Sequence, residues 1–279
     1  MLLIVGEAIV AYQRENDAPF TGPWPSGSPA IAAYVAARLG VPTCFVGGIG
    51  RDDHGQVMTA GLAAGGVVTD HLAVSPDAPT ASAYITYRGE EREFDFRVEG
   101  TAAVQVTERD LGDLPERCDW LHMSGSALIF GEPLAATTLA ALHRARAAGA
   151  RISIDPNVRP SSLSDRSRTA LVEALRLAHV LLPSAGELEA LGLNAAELVA
   201  GGATVCTTFG AGGATIEGGV HLDALEVNAI ATDGAGDSFA AGFIAASLAG
   251  ATPPEAAQAG IRVAAQAVQV TGPMTVRPR

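Results

Sequence analysis

Short apolar runs alternate along the whole chain with longer runs whose apolar positions recur every three or four residues. That alternation predicts an α/β fold, a largely parallel sheet covered by helices. Central strands are expected at Leu2–Val5, Thr43–Val46, Trp120–Met123, Arg151–Ile154, Val180–Leu182 and Thr204–Thr208, each short and ending near Gly, Pro, Ser or Asp. Helices fill the intervals. The run Ala30–Leu39 stops at Gly40 with Pro42 beyond, Pro133–Ala148 stops at Gly149, and Ala235–Leu248 stops at Gly250.

One stretch breaks the pattern. Ser82–Tyr87 and Glu93–Val98 are rich in β-branched and aromatic residues and flank the turn Arg88-Gly89-Glu90-Glu91, which reads as a hairpin. The polar, Pro- and Gly-containing segment from Tyr12 to Pro25 is its expected partner, the two pairing as a small lid sheet. With no internal repeat and no long linker, residues 1–279 read as one domain with a lid subdomain from about 12–25 and 80–99.

Composition narrows the chemistry. The 279 residues, 48% hydrophobic, suffice for a packed core without metal or disulfide staples. Thirty Asp and Glu against 18 basic residues give a net charge of −12, the wrong sign for gripping nucleic acid or an anionic membrane. All 18 basic residues are Arg. The absence of lysine excludes a Walker-A phosphate lysine, a protein-kinase strand lysine and a Schiff base. Cys44, Cys118 and Cys206 form no C-x-x-C pair, and Cys44 and Cys206 sit in apolar strand-like runs, as small buried hydrophobes do. The opening MLLIVGEAIV has no basic region before its apolar stretch and meets Glu7 early, so a signal peptide or membrane span is not expected and the cytoplasm is the default location.

The most informative stretch is Thr232-Asp233-Gly234-Ala235-Gly236-Asp237-Ser238, followed by a small-residue helix. Two glycines around an alanine let backbone N–H groups converge at a helix start, where the peptide dipoles favour an anion. Asp237 falls in the first helical turn beside that hole, where a carboxylate can take a proton from a hydroxyl attacking a phosphoryl group. The same residues also describe an ordinary tight turn with an acid complementing the helix dipole.

The rest of the chain separates these readings, because several stretches together resemble the ribokinase-like (PfkB) carbohydrate kinase family. Thr232, Gly234, Ala235, Gly236 and Asp237 match its C-terminal signature D-T-x-G-A-G-D, and Gly47, Gly50, Asp52 and Gly55 match its G-x-x-G-x-D-x-x-G pattern. Gly6-Glu7-Ala8 resembles the end of the family's first strand, and Gly27-Ser28-Pro29-Ala30 its glycine-rich sugar-binding turn. Asp155-Pro156-Asn157-Val158-Arg159-Pro160 is similar to the D-x-N-x-R stretch of fructokinases and 2-keto-3-deoxygluconate kinases. Glu187 falls at the glutamate of N-x-x-E, and Thr208-Phe209-Gly210-Ala211-Gly212-Gly213 resembles the nucleotide turn.

The resemblance implies a three-layer α/β/α fold with a small β lid and an ATP-dependent kinase of a small sugar. It implies Asp237 as catalytic base, Gly234, Ala235 and Gly236 as the anion hole, and Glu187 acting through water on the Mg2+ that accompanies ATP. Thr208, Gly210, Gly213 and Ser184 would line the nucleotide groove. Gly27, Ser28 and Arg159 would meet the substrate, Arg159 by holding a carboxylate or anomeric oxygen. A strand-end cap or loop salt bridge is the other reading of Arg159. A monovalent cation is a further candidate ligand, and a homodimer through the lid is expected.

Departures from the family pattern bear on the substrate. Ala11 stands where the family carries a hydroxyl-gripping aspartate, Ile31 where it carries the asparagine of G-G-x-x-x-N, and Ser26 replaces that motif's first glycine. Ala231 replaces the first aspartate of D-T-x-G-A-G-D, Ser184 the asparagine of N-x-x-E, and no Asn follows Asn228 to meet an adenine. The phosphate machinery persists while sugar contacts are lost, and lost hydrogen-bonding partners weaken hydroxyl recognition steeply. A nucleoside or other polyol is therefore an alternative substrate, and a catalytically impaired ligand-binding or regulatory protein an alternative function. Competing motifs fail on spacing: neither G-x-G-x-x-G nor G-x-S-x-G is formed, and the six His are scattered. His54 reads as packing, and Arg92, Glu93, Asp95 and Arg97, alternating with Phe94 and Phe96, as a two-faced lid strand from which Arg97 could reach the substrate.

Overall fold

The computed structural model describes residues 1–89, 91–158 and 163–278, so Glu90 of the hairpin turn and Arg159 and Pro160 of the D-x-N-x-R stretch lie outside it. In chain order the strands are β1 (Leu2–Val5), β2 (Ile9–Glu15), β3 (Thr21–Ser26), β4 (Thr43–Gly50), β5 (Leu72–Ser75), β6 (Ala81–Arg88), β7 (Glu91–Arg97), β8 (Trp120–Ser124), β9 (Arg151–Asp155), β10 (Val180–Leu181), β11 (Thr204–Thr208), β12 (Ala214–Ile216) and β13 (Val220–Leu222). Among the described residues they build a nine-stranded sheet, β13-β12-β11-β10-β9-β8-β1-β4-β5, and a four-stranded sheet, β3-β2-β6-β7.

From β11 to β5 every pairing of the large sheet is parallel; only β12 and β13 run antiparallel at one edge. Both faces are covered, which is why β1 is apolar at every position and fully buried. Leu2 and Ile4 pack into one core with the Ser28–Arg38, Asp53–Gly65, Ala235–Leu248 and Pro253–Ala267 helices. Leu3 and Val5 point the other way, into a second core with the Leu134–Ala147 and Asp165–Leu177 helices. Each such aliphatic chain stabilises the fold by about 1.5–3 kcal/mol, so a one-residue slip of β1 would exchange two full sets of contacts. The result is the three-layer α/β/α arrangement with a β lid.

Two boundaries differ from expectation in ways that matter. The helix expected from Ala30 begins at Ser28, with Pro29 in its first turn, so Ser28 belongs to a helix N-terminus rather than to the turn before it. The strand expected over Thr43–Val46 continues to Gly50, since its glycines leave room for neighbouring backbone: a Cβ at Gly48 would lie 2.0 Å from the Ala102 carbonyl.

The lid forms as the hairpin and the 12–25 segment suggest, with β2 pairing parallel to β6 and antiparallel to β3. Register puts Ala83, Ile85 and Tyr87 beside Phe96, Phe94 and Arg92 on the inner face. The outer face carries Tyr12 stacked on Tyr84 at 5.0 Å, the Arg97 guanidinium 4.2 Å above Tyr84, and His54, whose Nε2 is 2.8 Å from the Tyr12 hydroxyl. His54 and Arg97 thus pack on the side of the lid away from the cavity.

The G-x-x-G-x-D-x-x-G stretch ties the lid's root to the core. Asp52 caps the Asp53–Gly65 helix, accepting from Gly55 N–H at 2.8 Å, from the Thr80 hydroxyl at 2.7 Å and from Thr80 N–H at 2.8 Å, directly before β6. Burial alone would raise the Asp52 carboxyl, but these bonds and nearby His54 hold it below the usual carboxylate range.

Candidate active site

Ligands of open parallel sheets bind beyond the carboxyl ends of the strands, and there the structure has a cavity of about 1130 Å3. Its floor is supplied by Glu7 after β1, Asp155 at the end of β9, Ser184 and Glu187 after β10 and Thr208 at the end of β11, and its roof by the lid. A second hollow, about 390 Å3 beside Thr107–Arg109 and Pro133, is open, smaller and does not lie beyond the carboxyl ends of the central strands.

Two helix N-termini meet in this cavity. Gly234, with φ 76°, caps the Ala235–Leu248 helix, and Ser238 N–H donates to its carbonyl at 2.8 Å. A side chain there would be strained by the left-handed backbone and would press on Ile31 Cγ2 at 3.1 Å. The first-turn amides that follow have no intrahelical acceptors and sit at the positive end of the helix dipole. Gly27, at φ 100°, caps the Ser28–Arg38 helix; a Cβ on it would lie 2.7 Å from the Glu7 carbonyl. The Ser28 hydroxyl donates to Asp237 Oδ1, so the proposed base is oriented by the residue that opens the facing helix.

Beside the turn stands a network of carboxylates and hydroxyls. Asp155, 9% exposed, accepts from Asn157 N–H at 2.9 Å, and its Oδ2 is 3.9 Å from where a Gly236 Cβ would be. Glu187 accepts from Val158 N–H at 2.6 Å and from Ser184 N–H at 2.8 Å. Glu7, 1% exposed, accepts from the Ser126 hydroxyl at 2.7 Å; Ser126 Oγ also lies 2.8 Å from Ser124 Oγ, which accepts from Asn157 Nδ2 at 3.0 Å. Among the described residues no three His, Cys, Asp or Glu are grouped as a metal-ligand set. Asp155 and Glu187 suit Mg2+ instead, which takes one or two carboxylates and fills its octahedron with waters and phosphate oxygens.

On the other side of Asp237 the cavity continues as a groove. Thr208 N–H donates to the Pro183 carbonyl at 2.8 Å, aligning Ser184 with Thr208, and Gly210 and Gly213 turn the chain at φ 57° and 88°. Leu225, Val227, Ala264 and Val268 give the groove apolar walls of the kind an adenine ring needs.

The cavity thus brings together Gly27, Ser28, Ser184, Glu187, Thr208, Gly210, Gly213 and Gly234–Asp237, while Arg159 lies outside the described residues. Ala11, 1% exposed, does not line it, whereas Ile31 does. Sequence reasoning named Asp155 and Asn157 only as parts of a motif and passed over Glu7, Asp233 and Arg92 as site residues. A lone Glu two residues beyond a fully apolar strand, after Gly6 and before the apolar Ala8–Val10 run, was the available signal for Glu7.

Comparison with known proteins agrees with the geometry. The family model for the pfkB family carbohydrate kinases matches residues 12–279. The chain is 31% identical to a Salmonella typhimurium fructokinase over 267 residues, 90% of this chain and 86% of that one. A Vibrio cholerae fructokinase solved with fructose, ADP and calcium superposes with TM-score 0.87 at 26% identity, over 99% of this chain and 95% of that one. An E. coli ribokinase-type protein solved with ATP and Mg2+ gives TM-score 0.92 at 29% identity, with the same coverage. With the Gly234–Gly236 helix start, the flanking carboxylates and the lid in one cavity, these matches settle the assignment: the chain belongs to the pfkB family of carbohydrate kinases, and its activity is the ATP-dependent phosphorylation of a sugar hydroxyl.

Proposed function

We propose that Asp237 is the general base of an in-line phosphoryl transfer from ATP to a hydroxyl of a fructose-type sugar held under the lid. The observation that carries this reading is Asp237 itself, oriented by Ser28 beside the Gly234–Gly236 turn in the cavity shared by floor and lid. As the acceptor oxygen attacks the γ-phosphorus, the Asp237 carboxylate takes its proton and the bond to the ADP oxygen breaks. Charge on the transferred group is met by the first-turn amides and the helix dipole, fixed in place before the reaction begins. Glu187, through water, and Asp155 would hold Mg2+, which when bound neutralises phosphate charge. Thr208, Gly210, Gly213 and Ser184 seat the nucleotide, and Gly27 lets the floor approach the sugar.

The fructose-type acceptor is supported by the fructokinase relatives. Against it stand Ala11 and Ile31, so fructose is compared with sugar acids, polyols and nucleosides by substrate-dependent ADP release. Asp237→Asn tests the base: turnover falls at least about a hundredfold. We further propose a cytoplasmic enzyme that pairs through the outer lid faces, where Tyr12, Tyr84 and Phe20, 38% exposed, cluster. Sedimentation that finds only monomer removes the dimer.

A further inference from the structure

Asp233 immediately precedes Gly234, at the position its signature leaves open. Its carboxylate is only 10% exposed, and three lid strands supply its partners. Gln13 Nε2 of β2 donates to Oδ2 at 2.7 Å, the Tyr87 hydroxyl of β6 donates to the same oxygen, and Arg92 Nη1 of β7 lies 3.6 Å from Oδ1. Burial first, then the bond to Asp233 and its negative charge, push the Tyr87 phenol far above its ordinary range, so it stays a donor at working pH.

The remainder of the lid's inner face at the cavity is Ile9, Ala83, Ile85, Phe94 and Phe96. Apolar contacts of that kind hold two surfaces together without fixing their lateral position. The directional contacts at Asp233 do fix it, and they act on the residue whose peptide leads into the left-handed Gly234. A shift of the lid's corner is therefore transmitted directly to the backbone whose amides make the anion hole.

We propose that Asp233 is a positioning residue for phosphoryl transfer, tying the lid to the anion-hole turn so that lid seating and cradle shape are set together. The inference rests on the reading of Asp237 and Gly234–Gly236 given above. It predicts that Asp233→Ala loosens two distant segments at once. Amide hydrogen exchange in β6 and β7 rises about tenfold together with exchange in residues 230–236, the scale of losing charge-assisted hydrogen bonds. With ATP and fructose, KM for the sugar rises about tenfold and kcat falls less than for Asp237→Asn. Asp233→Asn, which keeps an acceptor for Gln13 and Tyr87 but loses the Arg92 pair, recovers most of the exchange protection. Tyr87→Phe, which deletes one oxygen and keeps the ring, loosens the same segments and carries the test if Asp233→Ala folds poorly.

Exchange in β6 and β7 at the parental rate in both Asp233→Ala and Tyr87→Phe overturns the coupling, as does loosening confined to 230–236. Asp237→Asn run in parallel separates the two ideas. If it keeps parental turnover, the base assignment falls while the exchange data still judge Asp233. If it is inactive with the lid exchange of Asp233→Ala unchanged, only the coupling falls.

Discussion

Gly236→Ala separates the stability of the anion-hole turn from its function. Gly236 is the second residue of the Ala235–Leu248 helix and needs no positive φ there. A Cβ at this position would have Asp155 Oδ2, at 3.9 Å, as its near neighbour, so the fold has room for the methyl group. Alanine narrows the unfolded ensemble and favours helix, a gain of about 0.5 kcal/mol, or roughly 1–2 °C in Tm for a domain of this size. The same methyl projects into the space between the first-turn amides and Asp155, where the proposed mechanism needs the γ-phosphoryl group. Displacing that group from its amide donors is expected to lower kcat about tenfold to a hundredfold, within the range seen when an oxyanion donor is lost. Thermal melts and a coupled ADP-release assay on one preparation read both effects. Gly234→Ala gives the contrast: its φ of 76° and the 3.1 Å approach to Ile31 cost roughly 1–3 kcal/mol, so Tm and activity fall together. A Gly236→Ala protein as active as the parent refutes the placement of the phosphate.

Ser28→Ala removes the donor that orients Asp237, and kcat should fall about tenfold with Tm nearly unchanged, since one part-buried hydrogen bond is lost; an unchanged kcat argues that Asp237 is oriented otherwise. Glu187→Gln keeps one acceptor where Val158 and Ser184 N–H need two, so half-saturation by Mg2+ should rise about tenfold in a metal titration of activity, and an unmoved titration removes Glu187 from the metal site. Because the Asp52 carboxyl is held below its ordinary value, its stabilisation is complete above the ordinary carboxylate pKa and is lost as pH falls through the lowered value. Asp52→Asn should therefore be less stable than the parent at neutral pH and lose less on acidification, as chemical denaturation across that window will read.

The layers were legible because each central strand is a local apolar run, and β1 and β11 coincide with their expected limits. The antiparallel edge was not, because β12 and β13 are three residues each, too short for a period to register. That Asp237 and the Gly-Ala-Gly turn open a helix was legible because one local segment carries them, and the structure adds that this helix start lines the cavity. Glu187 stood in a recognisable motif, but its two backbone donors come from separate loops that only the sheet brings side by side. Asp233 shows the limit most plainly: its partners Gln13 and Tyr87 lie 220 and 146 residues away, and its own position in the signature is the unspecified one. Ala11 read as a lost sugar contact, and it does stand on the lid's inner face between Ile9 and Gln13, beside Ala83, but its methyl group is buried there and does not itself line the cavity, whereas Ile31 does.

Asp237 can be tested most directly by single-turnover transfer from γ-labelled ATP to the acceptor that gives the fastest ADP release, comparing the parent with Asp237→Asn at saturating ATP and Mg2+. Rapid label transfer is expected in the parent and a rate at least about a hundredfold slower in the variant, with ATP affinity retained. Equal rates in the two proteins, or a parent that binds sugar and ATP without transferring label, contradict it.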